Sequence, residues 1–124
     1  MKLRLTKTSS GKVVLAGKDA ESNEKLIEQV GKDELVFHTK AAGSPFVNIK
    51  EKADNLTKKD IKEAAIFCAR FSQAWKKAKI KKDVEVHYFL GKDIFKLKDM
   101  KLGTFGVKKN KKIIVKKRKI EELK

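Results

Sequence analysis

The 124-residue chain has one cysteine, one proline, one tryptophan, two histidines and only three arginines, and each scarcity removes a class of explanation. Cys68 has no partner for an internal disulfide, and with two scattered histidines it cannot complete a structural zinc site. No metal or cofactor is expected, and a reducing compartment follows. A single proline and seven glycines beside 40% hydrophobic residues exclude collagen-like, low-complexity and disordered chains. No apolar run approaches the ~20 residues that cross a bilayer. The start, from Met1 to Lys7, lacks the apolar segment of a secretion signal, so a soluble, cytoplasmic protein is expected. There is no Gly-x-x-x-x-Gly-Lys-Ser/Thr loop, no Gly-x-Gly-x-x-Gly fingerprint and no nucleophile beside a base, which argues against an enzyme.

What is abundant is lysine. Thirty-two basic residues stand against 16 acidic ones, a net charge of +16, well beyond what solubility asks for. The excess is uneven: residues 1–62 carry +4 and residues 63–124 carry +12, with 17 basic and four acidic residues between Lys76 and Lys119. Hydrophobic residues such as Val84, Val86, Tyr88, Phe105 and Val107 are interleaved there, so the charge reads as a folded face, not a tail. Enrichment of lysine for thermal stability would raise Glu alongside it, which is not the case here. A polyanionic partner is the better reading. With only Arg4, Arg70 and Arg118 to offer planar forks, phosphate contact is favoured over base-edge readout.

Length and patterning predict one α+β domain over 1–124, a largely antiparallel sheet packed against one long helix plus one short helix. Leu3–Thr6 and Lys12–Ala16 read as strands joined by a turn at Ser9-Ser10-Gly11. A short helix follows, capped by Asp19 or Ser22, buried through Leu26, Ile27 and Val30, and stopped at Gly31. Glu34–Thr39 and Pro45–Ile49 form a second strand pair around the small-residue loop 40–44. The long helix is expected from about Lys59 to Lys77, with Thr57 and Asp60 at its start. Ile61, Ala64, Ala65, Cys68, Phe71, Ser72 and Trp75 lie along its buried stripe, which makes Cys68 and Trp75 core residues. Val84–Leu90 alternates as a strand, and Gly103–Val107 with Ile113–Lys116 is expected to form a hairpin in which Asn110 takes a positive φ. Residues 117–124 either extend that strand or fray.

The order of pieces carries a resemblance. Gly17-Lys18, Asn23 and Leu26, then Phe37-His38, Gly43-Ser44, Ala64-Ala65, Ser72, Val84-x-Val86-x-Tyr88 and Gly103 resemble the NFACT-R domain. That domain closes the RqcH/NEMF/Tae2 ribosome quality-control factors and also occurs as short stand-alone archaeal proteins. The likeness covers about residues 9–116, which suggests the stand-alone form. It departs from the family pattern at Asp19, Val36 and Pro45 and in the turn 98–103. The resemblance implies binding of structured RNA, tRNA or ribosomal RNA, and association with the ribosome. It does not imply peptide tailing, which depends on domains outside this segment.

The expected phosphate grip is Lys76, Lys77, Lys79, Lys81 and Lys82 at the helix–strand junction, with Lys92, Lys96, Lys98 and Lys101 on the next turn. Phe37, His38, Lys40 and Ser44 are candidates for sugar or base contact, against the alternative that Phe37 is core and His38 a satisfied strand-end residue. Three rival readings remain: a subunit docking its basic face on an acidic or ribosomal protein, an RNA-processing enzyme acting through His38 or Ser44, and a DNA-binding protein. No helix-turn-helix or homeodomain pattern supports the last.

Overall fold

A computed structural model describes residues 3–41 and 43–123. Its main element is a six-stranded antiparallel sheet in the order β1-β2-β4-β3-β5-β8, with a two-stranded β6–β7 ribbon beside it. The strands are β1 (Arg4–Lys7), β2 (Val13–Ala16), β3 (Glu34–His38), β4 (Val47–Lys52), β5 (Val84–Leu90), β6 (Ile94–Phe95), β7 (Gly106–Val107) and β8 (Lys111–Val115). The helices are α1 (Ala20–Glu28), α2 (Lys58–Phe71), α3 (Gln73–Lys76) and α4 (Lys117–Glu122).

Alternation along the strands sends two apolar sets to opposite faces. Val14, Ala16, Phe37, Val47, Ile49, Val84, Val86 and Val115 pack against Ala64, Ala65, Cys68 and Ala69 of α2, Trp75 and Ile120. Small side chains on α2 let it lie close to the sheet, and burial pushes the Cys68 thiol far above its ordinary pKa, as for an inert core group. On the other face Leu26, Val36, Phe46 and Phe89 are joined by Leu15, Ile27, Ile94, Phe105 and Val107. The sheet is therefore the middle layer, with α2, α3 and α4 on one side and α1 and the ribbon on the other.

Both predicted caps form. Thr57 Oγ1 accepts from the Asp60 amide, while Asp60 accepts from the Thr57 amide and from Ser10 Oγ at 2.6 Å. The Ser10 bond comes first among the causes that pull the buried Asp60 carboxyl down to about 2, and it ties the β1–β2 turn to α2. At α1, Asp19 is the cap and Ser22 closes the box from the third helical position.

Three expectations are corrected. The helix expected over 59–77 breaks at Ser72, whose backbone is extended and whose hydroxyl accepts from the Trp75 amide to start α3. The 103–116 hairpin does not form: β7 pairs with β6, β8 pairs with β5, and no non-glycine among the described residues has a positive φ, Asn110 included. A free 103–116 hairpin would leave β5 as the sheet's edge; pairing with β8 covers it and buries Val115 against α2. Residues 117–122 neither extend β8 nor fray, but turn into α4, because Ile120 is drawn fully into the core.

Candidate nucleic-acid interface

The loop after β3 is built around two buried polar residues. Ser44 is fully enclosed; its hydroxyl accepts from Thr39 Oγ1 at 2.7 Å and from the Gln73 amide at 3.0 Å. Its carbonyl accepts from Asn23 Nδ2 and from His38 Nε2. Asn23, at the start of α1, also accepts from the Phe46 amide at 3.0 Å. A Cβ on Gly17 would stand 2.0 Å from Asn23 Oδ1, so only glycine leaves room for this clasp. Ser44 thus locks the loop onto α3 and α1, and its side chain is not open to a ligand.

Phe37 is likewise fully buried, stacked on Tyr88 in the α2-side core, and so has no surface for a base. The core alternative holds for this residue. His38 lies on the opposite face, its ring stacked on Phe46 with centroids 4.0 Å apart. Because a carbonyl only accepts, the bond to Ser44 requires the proton on Nε2 and leaves the lone pair on Nδ1. Burial drives the His38 pKa down to about 4, so the ring is neutral at pH 7.

Strand register extends this surface. His38 stands opposite His87 on β5, His87 opposite Lys112 on β8, and Glu85 opposite the exposed Ile114. His87 Nε2 is 2.7 Å from Glu85 Oε2, and this bond, with Lys112 and Lys40 nearby, holds the Glu85 carboxyl below its usual range. His38, Phe46, His87, Phe89 and Phe105 line a cleft of ≈ 140 Å³ whose exposed rim is Lys40 and Asn110. Lys40 also lines a second groove, ≈ 270 Å³, together with Lys82 and Glu85. It therefore connects the helix–strand junction to the cleft.

The expected lysines separate into three kinds. Lys76, Lys77, Lys79, Lys82, Lys98 and Lys101 have exposed side chains. Lys81 instead donates to the carbonyls of Trp75 and Lys76 at the end of α3 and lies over the Trp75 ring. Lys96 donates to Glu24, to the Lys101 carbonyl and to the Thr104 carbonyl, and lies 4.6 Å from the Phe105 centroid. Lys81 and Lys96 are thus internal clamps more than free cations. Lys92 is exposed, but its amide bonds the Lys32 carbonyl at the far end of β5. Six residue steps at ~3.3 Å put the two ends of that strand about 20 Å apart. Lys98 and Lys101 return toward α1, since the Gly103 amide donates to Glu24 at 2.7 Å.

Sequence reasoning missed Phe105 and Asn110 as neighbours of His38 in the cleft, and Lys112 as the neighbour of His87. Alternation on β5 places Glu85, His87 and Phe89 on one face, but only the β5–β8 pairing brings Lys112 beside them. Among the described residues no helix is long and apolar enough to cross a membrane, and no cluster of His, Cys, Asp and Glu could hold a metal ion.

Comparison with known proteins places this architecture. The family model described as the NFACT protein RNA binding domain matches residues 2–109. An archaeal Rqc2 homolog, aRqcH, from Methanocaldococcus jannaschii is 40% identical over 68 residues, 54% of this chain and 10% of that protein. The chain thus aligns with about a tenth of the length of this curated relative. The C-terminal part of the fibronectin/fibrinogen-binding protein from Streptococcus suis superposes with a TM-score of 0.83 at 25% identity, covering 100% of this chain and 49% of that one.

Proposed function

This chain belongs to the NFACT RNA-binding domain family, and from that premise we propose that it binds structured RNA, tRNA or ribosomal RNA, in ribosome quality control. It acts as a binding module, not a catalyst, and works in the cytoplasm where ribosomes are. The observation that carries this reading is the continuity of the basic surface. Lys82 and Lys40 share one groove, Lys40 rims the cleft, and Lys112 stands across β5 from it, with Lys76, Lys77 and Lys79 leading in from α3. Ammonium groups spaced along a path, without arginine forks, suit a phosphate backbone followed in register more than a base sequence read in a groove. Lys98 and Lys101 stand on the loop that Glu24 ties to α1, while Lys92 and Lys32 lie at the other end of the sheet, outside this path.

The test is a salt titration of binding to bulk tRNA, a ribosomal RNA fragment and duplex DNA of equal charge. Tighter binding to RNA at every salt concentration, with a steep logarithmic slope, is expected. Changing Lys40, Lys82 and Lys112 to Gln together should flatten the slope by ~0.7–0.9 for each phosphate that is no longer neutralised. Coincident RNA and DNA curves, or no binding near physiological salt, would transfer the basic face to an acidic protein partner.

A further inference from the structure

We propose that the cleft between β3, β5 and the β6–β7 ribbon is a pocket for one unstacked nucleobase, so that the module takes hold of RNA at a single-stranded or looped nucleotide. This rests on the RNA-binding reading and adds to it a base-dependent contact that phosphate binding alone does not contain.

Four features converge on that occupant. The first is size: ≈ 140 Å³ is well below the ~300–1,000 Å³ of sites that enclose drug-sized ligands, which leaves space for one planar ring. The second is the lining. Phe46 and Phe89, nearly buried, form an apolar floor, and the partly exposed Phe105 meets Phe46 edge-to-face with centroids 5.5 Å apart. Phe105 is the aromatic with accessible surface here, the buried Phe46 and Phe89 backing it, and an accessible ring accepts any base. The third is polar complementarity at the wall. The neutral His38 ring, with Nε2 committed to Ser44, offers Nδ1 as an acceptor, and the Asn110 amide at the rim offers both donors and an acceptor. The fourth is charge: Lys40 on the rim and Lys112 across β5 stand where the phosphates on either side of an extruded nucleotide would run. The stack of His38 on Phe46, locked by Ser44 and Asn23, keeps the wall in place before any ligand arrives, which lowers the cost of ordering it on binding.

The experiment compares a short single-stranded oligouridylate with an abasic ribose-phosphate chain of the same length and charge, and repeats the comparison with oligoadenylate. The wild-type protein should bind the base-containing strands at least about fivefold more tightly than the abasic chain, the lower end of what stacking one base contributes. The ring resonances of His38 and His87, the only two histidines, should shift with the bases and not with the abasic chain. Phe105→Ala should bring the ratio toward one with its salt slope unchanged. Val107→Trp, which fills the cleft from the ribbon, should do the same while leaving the polar wall intact. Lys40→Gln and Lys112→Gln should do the reverse, flattening the slope and keeping the ratio. Equal affinity for base-containing and abasic chains overturns the pocket while leaving phosphate binding standing. A base preference with motionless histidine resonances places the contact elsewhere and overturns it too. Failure of every strand, tRNA included, to bind overturns the RNA-binding reading itself.

Discussion

His38 shows how one side chain acquires a role from its surroundings. In the unfolded chain its pKa is near 6.5; in the fold, desolvation takes it down to about 4 against the smaller opposing effect of the Ser44 carbonyl. Above pH 6.5 both states are neutral. Between 6.5 and 4 the unfolded chain takes up a proton that the folded one refuses, so stability falls as the pH is lowered through this window. The decrease attributable to this residue is about 3 kcal/mol at pH 4. Urea unfolding of wild type and His38→Gln at several pH values checks it, because the variant should lack that part of the slope; identical slopes would remove the assignment. The same scale separates what sequence reveals from what it hides. That Cys68 is core was readable from its place on the α2 stripe; Trp75 is core as expected, but from α3 beyond the break at Ser72. That Phe37 faces α2 and His38 the opposite, α1-side layer was not, because the β3 run Leu35-Val36-Phe37 is apolar on both faces of the sheet and gives no alternation to read.

Among the elements, the loop 96–104, whose Leu97 and Leu102 are exposed, is held by Glu24. That carboxylate accepts from the Gly103 amide and from Lys96, and the two bonds hold it below the usual glutamate range. Gly103 has φ +80°, and a Cβ there would come 2.7 Å from the Ala20 Cα, so backbone conformation and space both require glycine. Gly103→Ala should lower the cost of lifting the loop by about 2 kcal/mol. Trypsin would then cut after Lys98 and Lys101 roughly tenfold faster or more, with the sheet protected as before. The long helix teaches the complementary lesson. Its capping box and the stripe through Ile61, Ala64, Ala65 and Cys68 were legible, but Phe71, expected on that stripe, is only partly buried and outside both cores, and periodicity ran on through Ser72 as if unbroken. Ser72 caps α3 locally, and Ser44 adds a bond from the Gln73 amide across 29 residues of chain, a contact that no local pattern contains.

For the whole molecule, a net charge of +16 on 124 residues means that folding gathers cations against one another. Among the described residues only a few pair with carboxylates, for example Lys50 with Glu34 and Lys116 with Asp83. The melting temperature should therefore rise as NaCl goes from ~10 mM to ~150 mM, where the screening length shrinks from ~30 Å to ~8 Å. A bound polyanion should raise it further by mass action. A melting temperature indifferent to salt would mean that repulsion is already relieved within the fold.

The sequence alone determined the composition of the surface, the α+β class, the two capped helix starts and the family likeness, because charge, periodicity and caps are properties of neighbouring residues. Only the tertiary structure decided that β8 pairs with β5, that the cleft joins His38 and Phe105, that Lys40 links two grooves, and that Lys81 and Lys96 are clamps. All but the Lys81 clamp, whose partners lie five and six residues away, depend on segments far apart in the chain, and which face of a strand meets which neighbour is settled by burial of the whole core and not by the strand itself.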